Sequence, residues 1–228
     1  MEYKVINTMG EYQILEKVSL FQGIQKSEIS DVLNCMDSNT KKYSKNQIIV
    51  REGMKMNNLG IILDGSVQVI REDIMGNRMI VASLFSGEIF GETFACAGVD
   101  ASPVSVIADE DSTILWIALT RIVTPCTTAC DFHSQLIMNL LQILAKKNLY
   151  LNNKMELLSK RSIREKILSY LAEQANKHKT AVFEIPLNRN EMADYLCIDR
   201  SAMSRELSKL KEEGILDYHK NSFRFLKK

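Results

Sequence analysis

The stretch IPLNRNEMADYLCIDRSAMSRELSKLKEEGILDYHKNSFRFL, Ile185 to Leu226, places two helical patterns and a hairpin pattern in immediate succession. Asn188 and Glu191 have the spacing of a capping box, in which each side chain satisfies a free backbone amide at the start of a helix. The helix they open has Met192, Ala193 and Leu196 on its apolar face. Cys197 and Ile198 form a turn, and Asp199 is placed to cap a second helix. On that helix Met203, Leu207 and Leu210 form an inner stripe, so that Arg200, Ser201, Ser204, Arg205 and Ser208 face outward. The Lys220-Asn221 pair then marks the tip of a hairpin. Two short helices joined by a tight turn and followed by a hairpin predict a winged helix-turn-helix.

Charge supports a polyanion at this end. The chain carries 29 Lys and Arg against 28 Asp and Glu, yet residues 161–228 hold 14 against 10. The basic surplus is confined to the segment that carries the two helices. Outward-facing Arg200, Ser201, Ser204 and Arg205, with Arg189 and Lys220 nearby, are the expected contacts to double-stranded DNA.

Working towards the amino terminus, Ser162 and Glu165 form another capping box, which puts a hinge near Lys160 and Arg161. Before it, Ile137, Leu141, Leu144, Asn148, Leu151, Met155 and Leu158 recur at alternating intervals of four and three. Two readings of this heptad pattern are open: one amphipathic helix packed on its own domain, or the seam of a parallel dimer. An isolated Asn at an a position suits the second, because its amide is satisfied when it meets its symmetry mate.

From Gln47 to Leu119 the texture is different. QIIVR, LGIIL, SVQVIRE, RMIVASL, VSVIAD and TILWIAL are short apolar segments separated by turn residues, including Asp64-Gly65 and Gly76-Asn77. Six such segments predict an antiparallel roll or barrel. Residues 12–36 read as short helices. The fold class is therefore α+β, with an amino-terminal antiparallel β-roll over 1–130, a dimerisation helix and hinge over 131–160, and a winged helix-turn-helix over 161–228.

No apolar run approaches the roughly 18 residues that a membrane helix needs, and the start MEYKVINTMGEY lacks a basic segment followed by an apolar one. A cytoplasmic protein without a membrane partner is expected. Its five cysteines are then thiols or ligands rather than structural disulfides.

With this order of elements, nearly the whole chain resembles the cyclic-AMP receptor protein/fumarate-nitrate reductase regulator (Crp/Fnr) family. The most specific matches are Phe90-Gly91-Glu92 in the roll and Arg200 to Arg205 on the second helix. The resemblance implies a homodimer that regulates transcription, binds an inverted repeat and contacts RNA polymerase. It also implies an effector pocket at Gly91, Glu92 and Ser102, completed from the long helix by Leu151 and Asn152. In cyclic-nucleotide-binding members the Glu takes the ribose hydroxyl, and an Arg-Ser pair neutralises the phosphate. Here Ser102-Pro103 stands in the place of that pair, and neither residue carries charge. Leu151 and Asn152 stand where small hydroxyl residues meet adenine. The expectation is a regulator that does not depend on cyclic AMP, with an effector and cofactor the sequence leaves unknown.

The first 34 residues contain neither Cys nor His, so the amino-terminal iron-sulfur cluster of one branch of the family is missing. Cys126, Cys130 and His133, spaced i, i+4 and i+7, would share one helical face. They are either packing residues or ligands for Zn²⁺ or an iron species. An enzyme is not expected, because His133, His178 and His219 all fall outside the roll strands that would have to supply ligands. The alternative is a cyclic-nucleotide- or other small-ligand-binding regulatory module acting without DNA; a nucleotide-binding one would lack the two-helix motif and keep the phosphate Arg.

Overall fold

The computed structural model describes residues 13–72, 75, 78–124, 132–180 and 182–226. The chain divides into two compact units, Met1–Ala145 and Lys146–Lys228.

The first unit is an antiparallel roll of two four-stranded sheets. Its strands are β1 (Asn39–Tyr43), β2 (Ile48–Val50), β3 (Asn58–Asp64), β4 (Ser66–Glu72), β5 (Arg78–Phe85), β6 (Ile89–Phe90), β7 (Ser105–Ala108) and β8 (Ser112–Ala118). One sheet runs β1-β8-β3-β6 and the other β2-β7-β4-β5. The six segments read from sequence are all strands. β1 and β6 escaped that reading because NTKKY is polar and Ile89-Phe90 is only two residues long.

Side-chain alternation explains why β3 and β8 are apolar along their centres, Leu59–Leu63 and Ile114–Ile117. Ile62 and Ile114 face the roll interior with Val67, Phe90 and Val106, whereas Leu59, Ile61, Leu63, Leu115 and Ile117 face a second core built with helices. A sheet covered on both faces has no polar side to show. Gly60 is needed at its position because a Cβ there would run into the Phe90 ring. Gly65, at φ 81°, makes the turn between β3 and β4; the Gly76-Asn77 turn lies outside the described residues. The helices of the second core are α1 (Ile29–Cys35) and the beginning of a long helix, which contributes Leu136 and Leu140. Two short helices, α2 (Glu92–Ala97) and α3 (Leu119–Val123), follow β6 and β8.

The long helix, α4, spans Phe132–Ser159, ending where the sequence reading placed the hinge. In the second unit its last turns meet α5 (Ile163–His178), α6 (Arg189–Leu196) and α7 (Arg200–Glu212), with strands β9 (Val182–Glu184), β10 (Leu216–His219) and β11 (Ser222–Phe225). All three N-caps anticipated from sequence are formed. Ser162 Oγ accepts from Glu165 N–H at 3.1 Å while the Ser162 amide donates to the Glu165 carboxylate at 3.1 Å. Asn188 accepts from the amides of Asn190 and Glu191, and Asp199 from Ala202. The wing has one strand more than the hairpin read from sequence, since β11 pairs with both β10 and β9. One core holds this unit together, with Leu157 of α4 buried among Ile167, Leu171, Met192, Leu196, Met203, Leu207 and Phe223.

Candidate nucleic-acid interface and sensor pocket

The outer face of α7 is built by what lies beneath it. Met203, Leu207 and Leu210 are fully buried, so the helix cannot rotate without exposing them, and Arg200, Ser201, Ser204 and Arg205 are held in solvent. Asp199 fixes the start of the helix. Its Oδ1 accepts from the Ala202 amide at 2.8 Å and from the Ser201 hydroxyl at 2.5 Å, and the Ser201 bond is the main reason its carboxyl is held below the usual carboxylate range. Cys197, in the left-handed conformation at φ 50°, closes the tight turn from α6. Next to this helix is a cavity of about 650 Å³ lined by Asn188, Arg189, Arg200, His219 and Lys220. Its walls carry Arg189, Arg200 and Lys220 against the carboxylate of Glu184, a cationic balance that suits a phosphate backbone.

Arg189 and Lys220 are both at that cavity, but they are placed differently. Lys220 is exposed at the wing tip. The Arg189 guanidinium is half-buried and turned onto the wing: it donates to the Lys220 carbonyl at 2.9 Å, and burial pulls its pKa below the usual arginine value.

In the roll, Gly91 takes φ 83° and caps α2, where a Cβ would run into Met56. Glu92 is buried, 2% exposed, and accepts from the Thr93 hydroxyl at 3.0 Å. Ser102 is equally buried and spends its groups on the backbone. Its hydroxyl donates to Val104 O at 2.8 Å and accepts from Val104 N–H at 3.3 Å, and its own amide donates to Met54 O. Pro103 has no amide to offer. Sequence reasoning missed a cation here. Ile70 of β4 lies opposite Ser105 of β7, so Arg71 is next to the 102–104 turn, and its Nε–H donates to the Pro103 carbonyl at 3.4 Å. Among the described residues no carboxylate pairs with Arg71. Only cross-strand register could have revealed it, since 31 positions separate it from Ser102 in sequence.

Residues 40–123 match the cyclic nucleotide-binding domain family model, and residues 165–227 match the Crp-like helix-turn-helix domain model. The chain belongs to the Crp/Fnr family of transcription regulators. Together the two matches cover more than half of it, and they account for the roll and the winged unit in the order observed. The transcriptional activator protein FnrL of Cereibacter sphaeroides is 25% identical over 185 residues, which are 77% of this chain and 71% of that protein. The catabolite activator protein of Thermus thermophilus has a similar fold at TM-score 0.54 and 22% identity, covering 91% of this chain and 93% of that one. So does the c-di-GMP-responsive global regulator CLP of Xanthomonas campestris, at TM-score 0.54 and 18% identity over 90% and 100%. The Crp/Fnr family consists of transcription regulators, not enzymes.

Against the family pattern the remaining expected residues are distributed as follows. Gly91, Glu92 and Ser102 belong to the first compact unit, whereas Leu151 and Asn152 are exposed on α4 in the second. Of the heptad positions on α4, Leu141, Asn148, Leu151 and Met155 are exposed, Leu158 is half-buried, and Ile137 and Leu144 pack against the core of the first unit. Met138 and Leu149 are also exposed apolar residues of this helix. Cys126 and Cys130 lie outside the described residues. His133 is buried, 3% exposed, with Nε2 4.0 Å from Cys35 Sγ, and among the described residues its Nδ1 has no hydrogen-bond partner. Among the described residues no three His, Cys, Asp or Glu side chains are grouped to hold a metal ion, and no helix is long and apolar enough to cross a membrane.

Proposed function

We propose that this regulator is a homodimer that binds an inverted repeat of double-stranded DNA and acts on transcription through RNA polymerase, under an effector other than cyclic AMP. The observation that carries the reading is the exposed face of α7, where Arg200 and Arg205 are held outward over a locked apolar stripe. Each arginine can bond a guanine O6 and N7 in the major groove, while Ser204 and Lys220 meet the backbone. Ser201 is tied to Asp199 and shapes the helix start. The functional parts follow the sequence reading: a sensor over 1–130, the dimer helix and hinge over 131–160, and the DNA-binding unit over 161–228.

Dimerisation follows from α4. Leu141, Leu151 and Met155 are 56%, 57% and 68% exposed, which is unfavourable for a helix in water unless a second copy covers them. Asn148 on the same face would pair with its mate and fix the register. The half-sites would then be about 34 to 36 Å apart.

The effector acts at the roll. Ser102 and Pro103 offer no charge, whereas Arg71 brings a cation to the 102–104 turn from the neighbouring strand, which favours a small anionic ligand. Selection of bound sequences from random DNA tests the function as a whole: an inverted repeat should emerge, and recovery of unrelated sequences would refute sequence-specific binding.

A second reading is favoured by His133, whose buried Nδ1 has no hydrogen-bond partner among the described residues. It assigns a metal or redox input to Cys126, Cys130 and His133. If so, Cys126→Ser and Cys130→Ser proteins should lose any response of operator binding to Zn²⁺ or oxidant; an unchanged response would make the cysteines packing residues.

A further inference from the structure

The wing tip is a strained element, and the structure shows what holds it. β10 and β11 are joined by the two residues Lys220 and Asn221, and Lys220 adopts φ 51°, a left-handed conformation that a residue with a Cβ adopts at a cost. Such a conformation persists where neighbouring groups fix it. One fixing bond comes from the sheet side, where the Ile185 amide donates to Asn221 O at 3.0 Å. The other comes from α6, where Arg189 NH2 donates to Lys220 O at 2.9 Å.

Arg189 does more than make that bond. Its guanidinium carbon is 4.9 Å from the centroid of Tyr218 on β10 and 4.9 Å from that of Phe223 on β11. Tyr218 and Phe223 are also cross-strand partners, with ring centroids 5.8 Å apart. A planar cation against two rings, with one N–H on the tip carbonyl, engages both strands and the turn between them. Arg189 is the first residue of α6, directly after Asn188, whose side chain caps the helix start through the amides of Asn190 and Glu191.

We propose that Arg189 is a positioning residue that fastens the wing to the first helix of the DNA-binding motif, so that Lys220 at the tip and Arg200 on α7 are presented to the DNA as one rigid surface. A lysine cannot replace it. An ammonium keeps the charge but lacks the plane that lies against the rings and the fork that reaches the carbonyl.

This role separates from direct contact with a phosphate, which a lysine would largely preserve. The experiment compares wild type, Arg189→Lys, Arg189→Ala and Tyr218→Leu as full chains. Amide hydrogen exchange of the wing, residues 218–222, is measured without DNA, and operator affinity is measured by anisotropy. All three variants should exchange roughly tenfold faster in the wing with α7 unchanged, and both Arg189 variants should bind DNA roughly tenfold more weakly. Exchange equal to wild type, or full affinity restored by Arg189→Lys, would overturn the assignment. Because the exchange arm contains no DNA, its outcome is independent of the operator reading.

Discussion

The Ser201 hydroxyl donates to the Asp199 carboxylate at 2.5 Å, and the same oxygen caps α7 through the Ala202 amide. The residue at the start of the DNA-facing helix is thus engaged with its own cap, and the carboxylate is stabilised in its charged form. Asp199→Ala should lower the urea midpoint of the second unit. The sign with pH follows from the depressed native pKa. The cap's contribution is complete above the unfolded carboxylate value of about 4 and is lost as pH falls through the lower native value. Wild type and variant should therefore differ at pH 7 and converge towards pH 2 to 3 in equilibrium unfolding.

Leu157 is 5% exposed and belongs to α4, yet its neighbours are the helices of the DNA-binding unit. Leu157→Ala removes buried methyl groups and leaves a cavity, so it should destabilise the second unit by about 2 to 5 kcal/mol. Calorimetry should show one transition lowered. A change below about 0.5 kcal/mol, typical of surface positions, would mean that this end of α4 does not belong to that core.

Assembly is tested at Leu141 and Asn148. Leu141→Asp places a charge on the exposed apolar face of α4 and should shift the protein to monomer in sedimentation at micromolar concentration. Asn148→Leu should keep or strengthen association while loosening register or stoichiometry. Leu144 is less informative, because it packs against the first unit's own core.

At the sensor, calorimetric titration with cyclic AMP should show affinity weaker than micromolar, because Ser102 is consumed by Val104 and Pro103 has no donor. Arg71→Gln should weaken binding of whatever anion the wild type does take up by roughly ten- to hundredfold, with Glu92 left in place. Losing a charge-assisted contact of this kind corresponds to about 1.5 to 3 kcal/mol. Tight cyclic AMP binding that survives Arg71→Gln would place the cation elsewhere.

Local signals were the legible ones. Capping boxes at Ser162 and Asn188, the Asp199 cap and the Met203-Leu207-Leu210 stripe act over one helical turn, and each is formed as read. The apolar strands of the roll were legible because both faces of β3 and β8 are covered. What escaped depends on partners distant in sequence. The polar β1 is a strand because β8 pairs with it, and β9 because β11 does. Arg71 reaches the 102–104 turn through register, and Arg189 faces the wing rather than open solvent. Periodicity alone could not divide the heptad residues of α4 between an exposed face and the chain's own core, which is how Ile137 and Leu144 come to lie inward.

The central claim, that the exposed face of α7 reads base sequence, is tested most directly by a double-substitution cycle on the selected operator. Affinity is measured for wild type and Arg205→Ala, each on the operator and on a variant with the contacted G·C pair replaced by A·T. The wild type should discriminate between the two DNAs by about 1 to 3 kcal/mol, and Arg205→Ala should bind both equally. Discrimination that persists unchanged in Arg205→Ala would contradict the assignment.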